Sequence, residues 1–175
     1  SERLNTSSNN IFLIGDSAGG NLCAVTCIKA RNSGIKNIKG QILIYPLTNL
    51  ADLNTESYKL YDKGYLLSKK EIEWFRQNYI PNPDIWSSPD ASPLLEKDLS
   101  NLPSALIITA QFDILHDEGA QYAEKLKKFG NVVEHIDIKG VTHGFMSMDR
   151  FLPQTNLVYN KIQEFIFRIL NTNQS

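Results

Sequence analysis

The sequence of 175 residues predicts an α/β protein, a parallel sheet covered by helices on both sides. Three observations carry that prediction. Short runs that are apolar at nearly every position, such as Ile11 to Ile14 and Ala105 to Thr109, suit strands buried on both faces. Helix-compatible stretches separate them, which is the alternation that parallel crossovers need. A composition of 42% hydrophobic and 21% charged residues is that of an ordinary globular protein with room for one domain and a sizeable core.

Taken in order, the run Ile11 to Ile14 ends on Gly15, and a helix is expected from Ala18 to about Ala30. The second strand, Gln41 to Tyr45, is closed by Pro46. The third, Ala105 to Thr109, leads into a helix from about Glu118 to Phe129. The fourth, Val132 to Ile138, alternates more than the others and precedes a loop and a final amphipathic helix, about Gln154 to Leu170. The stretch from about Leu50 to Asn101 is too long for a plain connection and carries its own helix, Lys69 to Tyr79 behind Ser68 as N-cap. Pro81, Pro83, Pro89 and Pro93 mark an extended return path, and Pro103 fixes the start of the next strand. The expected organisation is therefore residues 1–50 with the first strand, its turn and the second strand, a lid inserted at 51–101, and residues 102–175 completing the sheet.

Eighteen Lys plus Arg against nineteen Asp plus Glu leave a net charge of −1, which gives no electrostatic footprint for nucleic acid or an anionic membrane. No apolar run approaches the roughly 18 residues of a membrane span, and the first ten residues lack the form of a signal peptide. Cys23 and Cys27 lie four apart with no partners at metal-ligand spacing, so they read as small core residues, with no disulfide or metal site, in a reducing, cytoplasmic setting.

Gly15-Asp16-Ser17-Ala18-Gly19 matches G-x-S-x-G between a strand and a helix. There the serine occupies a sharp turn, and a Cβ at Gly15 or Gly19 is expected to crowd the neighbouring strand or helix. The N–H of Ala18, at the positive end of the helix, is placed to donate to an oxyanion. An idle serine in a Gly-rich turn is the bland alternative. A serine nucleophile needs a histidine base and a carboxylate that holds the base in one tautomer. Of three histidines, His135 falls inside the fourth strand and His116 stands beside Asp117 at a helix start, whereas His143 lies in a loop between Gly140 and Gly144. Asp113 leaves the third strand directly; Asp117 and Glu118 compete for the acid role but sit in a first helical turn, where acids are favoured by the dipole. The resulting order, Ser17, Asp113, His143, is that of nucleophile, acid and base in α/β-hydrolases. Trp74 and Phe75 are read as packing residues as readily as pocket walls, and Lys125, Lys127 and Lys128 as suiting a helix end and solvent.

The run Gly15-Asp16-Ser17-Ala18-Gly19-Gly20-Asn21-Leu22 resembles the nucleophile elbow of the hormone-sensitive-lipase-like carboxylesterases. The resemblance continues through Ser92-Pro93-Leu94, Leu102-Pro103, Phe112-Asp113, Asp117-Glu118-Gly119, Tyr122-Ala123 and His143-Gly144-Phe145. It implies an α/β-hydrolase sheet, hydrolysis of small or short-acyl esters through an acyl-enzyme at Ser17, Asp113 and His143, a cap around Tyr61 to Tyr79, and no cofactor. Ile114 and His116 stand where that family usually has Pro and Arg. The family's His-Gly-Gly-Gly oxyanion motif and its upstream strands have no counterpart in these 175 residues. The expectation is a C-terminal portion whose first strand lies at a sheet edge, with an N-terminal half supplied in cis or by a separate chain. The alternatives are a receptor-like relative, against which the retained His143 argues because the family's small-molecule receptors have lost that histidine, and an inactive fragment, which the missing oxyanion glycines favour.

Overall fold

The computed structural model describes residues 10–172. Four strands, β1 (Ile11–Asp16), β2 (Ile38–Ile44), β3 (Ser104–Phe112) and β4 (Val133–Thr142), form one parallel sheet in the order β1-β2-β3-β4. Five helices accompany them: α1 (Ala18–Asn32), α2 (Glu56–Tyr61), α3 (Lys69–Tyr79), α4 (His116–Lys128) and α5 (Gln154–Thr172). Residues 1–9 and 173–175, including most of the first ten residues that lack the form of a signal peptide, lie outside the described residues.

Alternation along the strands divides the core in two. Leu43, Ala105 and Ile107 meet Ala24, Cys27 and Ile28 of α1 and Tyr122, Ala123 and Leu126 of α4 on one face. Ile42, Ile44, Leu106 and Ile108 meet Phe145 and Val158 and Phe165 of α5 on the other. The two middle strands are thus apolar on both faces because both faces are covered. Cys23 and Cys27 are free thiols packed in the first of these clusters, as expected. The edge strand β1 keeps Ile14 54% exposed and pairs only with β2 among the described residues.

The structure lengthens several elements beyond the expected bounds. The largest change is in β4, expected to stop at Ile138. Gly140, at φ 75°, reads as a break, yet the pairing resumes past it at Phe112 opposite Thr142 after a register shift. His143 therefore stands at the very end of a strand rather than within a loop that begins at Gly140. In the 51–101 insertion, α3 has the expected bounds and a reciprocal capping box: Ser68 Oγ accepts from Glu71 N and Glu71 Oε2 accepts from Ser68 N. The short helix α2 had no signal in the sequence. Leu53, Tyr58, Leu67 and Ile72 of the insertion pack on Ile114 and Leu115, directly after β3.

Candidate active site

The site is assembled at the C-terminal ends of the parallel strands. Ser17, between β1 and α1, has φ 53° and ψ −118°, a conformation that an L-residue adopts only under constraint. The constraint is visible: Ser17 N donates to Ile44 O at 2.9 Å, and Ser17 O accepts from Leu47 N and Asn21 N at 3.2 Å each. A Cβ on Gly15 would lie 2.3 Å from Gly19 O, and one on Gly20 would lie 2.8 Å from Pro46 Cβ. Both positions demand glycine for space. Gly19 does not, contrary to expectation: a Cβ there meets nothing nearer than Asp16 Oδ1 at 4.0 Å.

Ser17 Oγ lies 2.9 Å from His143 Nε2, and His143 Nδ1 lies 2.7 Å from Asp113 Oδ2. Asp113 is 1% exposed, and its other oxygen accepts from Leu115 N at 2.9 Å, so both carboxylate oxygens are engaged. The ring of Tyr45 packs 4.7 Å from that of His143, tilted by 57°. Three elements, separated by up to 126 residues, thus deliver one hydrogen-bonded chain. Ala18, the first residue of α1, has an N–H ahead of the helix's own hydrogen bonds and lines a cavity with Ser17. Asp16 is the last residue of β1 and lies opposite Ile44.

The competing residues are occupied elsewhere. His135 Nε2 meets Thr109 Oγ1 at 3.1 Å, and burial, with Lys127 nearby, holds its pKa below the usual value. His116 lies between Asp117 Oδ1 at 3.0 Å and Asp137 Oδ1 at 3.3 Å. Asp117 also accepts from Ser57 N; burial works to raise its pKa, but the His116 and Ser57 hydrogen bonds outweigh it and lower it. Glu118 is more than a residue favoured by a helix dipole. It is fully buried, and its Oε1 accepts from Thr48 N and Asn49 N at 2.5 and 3.0 Å. Burial pushes its carboxyl up to about 8, against the pull of those two N–H groups.

Lys125 also departs from the solvent role expected of it, donating to Leu94 O and Glu96 O at 2.8 and 2.7 Å. Trp74 and Phe75 are 60% and 51% exposed, and Phe75 lines the cavity beside Ser17. Asn21 and Tyr45 are site-building residues to which the sequence assigns no role, and Glu118, a competitor for the acid role there, builds the site through Thr48 and Asn49 instead. Asn21 Nδ2 ties Leu47 O and Ala91 O at 2.8 and 2.9 Å, joining the elbow helix to the segment ahead of the insertion and to its return path. Its signal was an amide in an otherwise apolar helix face. No group of side chains able to hold a metal occurs among the described residues.

A family described as alpha/beta hydrolase fold matches residues 1–147. The chain belongs to that family. Its resemblance to the hormone-sensitive-lipase-like carboxylesterases is borne out by its neighbours. A structure from a study of two fungal esterases of Rhizomucor miehei superposes with a TM-score of 0.94 at 38% identity, covering 98% of this chain and 53% of that one. The carboxylic ester hydrolase LipN of Mycobacterium tuberculosis is 42% identical over 139 residues, 77% of this chain and 37% of that protein. The gibberellin receptor GID1A of Arabidopsis thaliana is 31% identical over 159 residues, 89% of this chain and 44% of the receptor. The chain spans about half the length, or less, of the curated relatives it matches. No helix among the described residues is long and apolar enough to cross a membrane.

Proposed function

We propose that this chain carries the catalytic residues of a serine carboxylesterase acting on small or short-acyl esters through an acyl-enzyme. The observation that supports it is the continuous contact from Ser17 Oγ through His143 to Asp113 at 2.9 and 2.7 Å. Ser17 Oγ attacks the ester carbonyl carbon as His143 Nε2 takes its proton. Asp113 keeps the other ring proton on Nδ1 and stabilises the imidazolium that forms. The carbonyl oxygen, now an anion, accepts from Ala18 N–H. His143 returns the proton to the departing alcohol, leaving Ser17 acylated. A water molecule, deprotonated by His143, then releases the acid and restores the hydroxyl. No cofactor enters this sequence.

In this reading residues 51–101 act as the cap over the site. The free edge of β1 receives further strands, in cis or from a second chain, together with further oxyanion donors, and full activity depends on them. Two free thiols suit a reducing, cytoplasmic setting. A receptor role, suggested by the likeness to the gibberellin receptor, leaves the Ser17–His143 contact without a purpose. The test is a short-chain aryl ester together with an organophosphate probe. Turnover and a covalent adduct on Ser17, both lost in Ser17→Ala, are expected. Tight small-molecule binding without either would favour the receptor.

A further inference from the structure

The cavity beside Ser17 has a volume of about 510 Å3, and Leu22, Leu47, Leu50, Leu67, Ile72 and Phe75 make it strongly apolar. Into this wall the third turn of α3 brings one charged side chain, Arg76. The guanidinium makes no ion pair among the described residues. Nη1 donates to Leu50 O at 2.8 Å, and the guanidinium carbon lies 3.5 Å from the centre of the Trp86 ring. Nε is buried without a partner. Burial lowers the pKa of the group, with Glu73 acting weakly the other way.

A cation partly withdrawn from water is costly unless an anion or several hydrogen bonds compensate it. Leu50 O and the ring face use one N–H and one face of the plane. Among the described residues they leave Nη2 without a hydrogen bond, so a carboxylate can be held end-on by the two terminal nitrogens, Nη1 and Nη2, whereas the buried Nε is closed to it. A residue that served only to latch α3 to Leu50 O needs no permanent charge, and an apolar pocket for a simple alkyl ester is better walled by an uncharged side chain. The missing anion is therefore sought in the ligand, which shares the cavity with Arg76.

We propose that Arg76 selects esters bearing a second, ionised carboxylate, which pairs with the guanidinium while the ester carbonyl lies at Ser17. The inference deepens the carboxylesterase reading and rests on it. The chemistry is unchanged: water cleaves the ester, and the second carboxylate takes no part in bond making.

Two substrate pairs of matched size test it in the full protein. Aryl hemisuccinate against aryl 4-methylpentanoate places the charge on the acyl side; acetylated glycolate against isobutyl acetate places it on the alcohol side. In Arg76→Met the charged-to-neutral ratio of kcat/KM is expected to fall about tenfold or more for at least one pair, the scale of a charge-assisted hydrogen bond. Arg76→Lys, which keeps charge but not the fork, should recover part of it. A latch that only positions α3 slows both members of a pair alike, and ratios unmoved in both pairs would overturn the proposal. Calorimetric titration of succinate into Ser17→Ala separates the two readings. Succinate binding that disappears on adding Arg76→Met, with no ester turned over by the native protein, supports the carboxylate site and removes the esterase. Ser17-dependent turnover with unmoved ratios and no Arg76-dependent binding removes the carboxylate site and keeps the esterase.

Discussion

Ser17 and α3 line one cavity, and they are held by different means. The serine turn is over-determined: its N–H and carbonyl are tied to Ile44, Leu47 and Asn21, and glycine at 15 and 20 admits the close approach. Behind it, Asp113 is buried with both oxygens engaged. By contrast α3 buries only Ile72 and leaves Trp74, Phe75 and Tyr79 half or more exposed. Its anchors are polar contacts at its two ends, Arg76 on Leu50 O and the Trp86 ring, and Lys69 on Asp62 Oδ1 and Asn54 Oδ1. In the proposed mechanism the sheet fixes the reacting groups, and the wall that meets the rest of a substrate is the adaptable one. Changes on the two sides should consequently register in different measurements.

The largest contrast is expected at the nucleophile. Ser17→Ala should lower kcat on a short-chain aryl ester by about 10⁴-fold or more, and His143→Ala nearly as much, while His116→Ala and His135→Ala change it within a few-fold. Equal losses at all three histidines would break the assignment. Asp113→Asn should cost about 10³- to 10⁴-fold, since the amide holds the wrong tautomer, and Asp117→Asn little. Steady-state rates for the two side by side decide which acid is in use.

The rigid side should also show itself in stability. Gly15→Ala forces a Cβ against Gly19 O and is expected to cost about 1–3 kcal/mol or more in urea denaturation, whereas Gly19→Ala is accommodated. Similar midpoints for the two variants would show that the turn relaxes. On the adaptable side, Phe75→Ala should alter the ratio of KM for long and short acyl chains by about tenfold or less, with kcat for the short ester nearly constant. A collapse of kcat there would mean that α3 positions the reacting groups after all.

The smallest effect concerns pH. Glu118 is raised from 4.5 to about 8 by burial, so the folded state holds its proton more tightly than the unfolded chain. Its contribution is complete below about 4.5 and is lost progressively as pH rises toward about 8. Urea midpoints across that range should fall in the native protein and fall less in Glu118→Gln. Parallel profiles would show that the carboxyl is ionised throughout.

Much of the site was legible because its chemistry depends on short-range pattern. G-x-S-x-G is read within five residues, and the chain order of serine, acid and base needs only the strand ends. Asp113 was found because a carboxylate directly after an apolar run must stand at the strand's C-terminal end. The buried contacts of Glu118 and Asn21 are not legible, because Thr48, Asn49 and Ala91 are 69 to 70 residues away from them and nothing local marks the pairing. The extent of β4 was misjudged for a related reason: a glycine that looks like a break is accommodated by a neighbouring strand that re-registers around it.

What the sequence determined by itself was the alternation of strand and helix, the elbow, the triad order and the capping of α3, all set by periodicity, turn sterics and hydrogen bonds within a few residues. Tertiary structure alone decided that Gly15 and Gly20 are indispensable where Gly19 is not, and that Glu118 grips the root of the insertion. It alone placed Arg76, without a counter-ion among the described residues, in the wall of the cavity that holds Ser17. Each of these depends on which surfaces meet across the fold, and a one-dimensional pattern does not encode the distance between them.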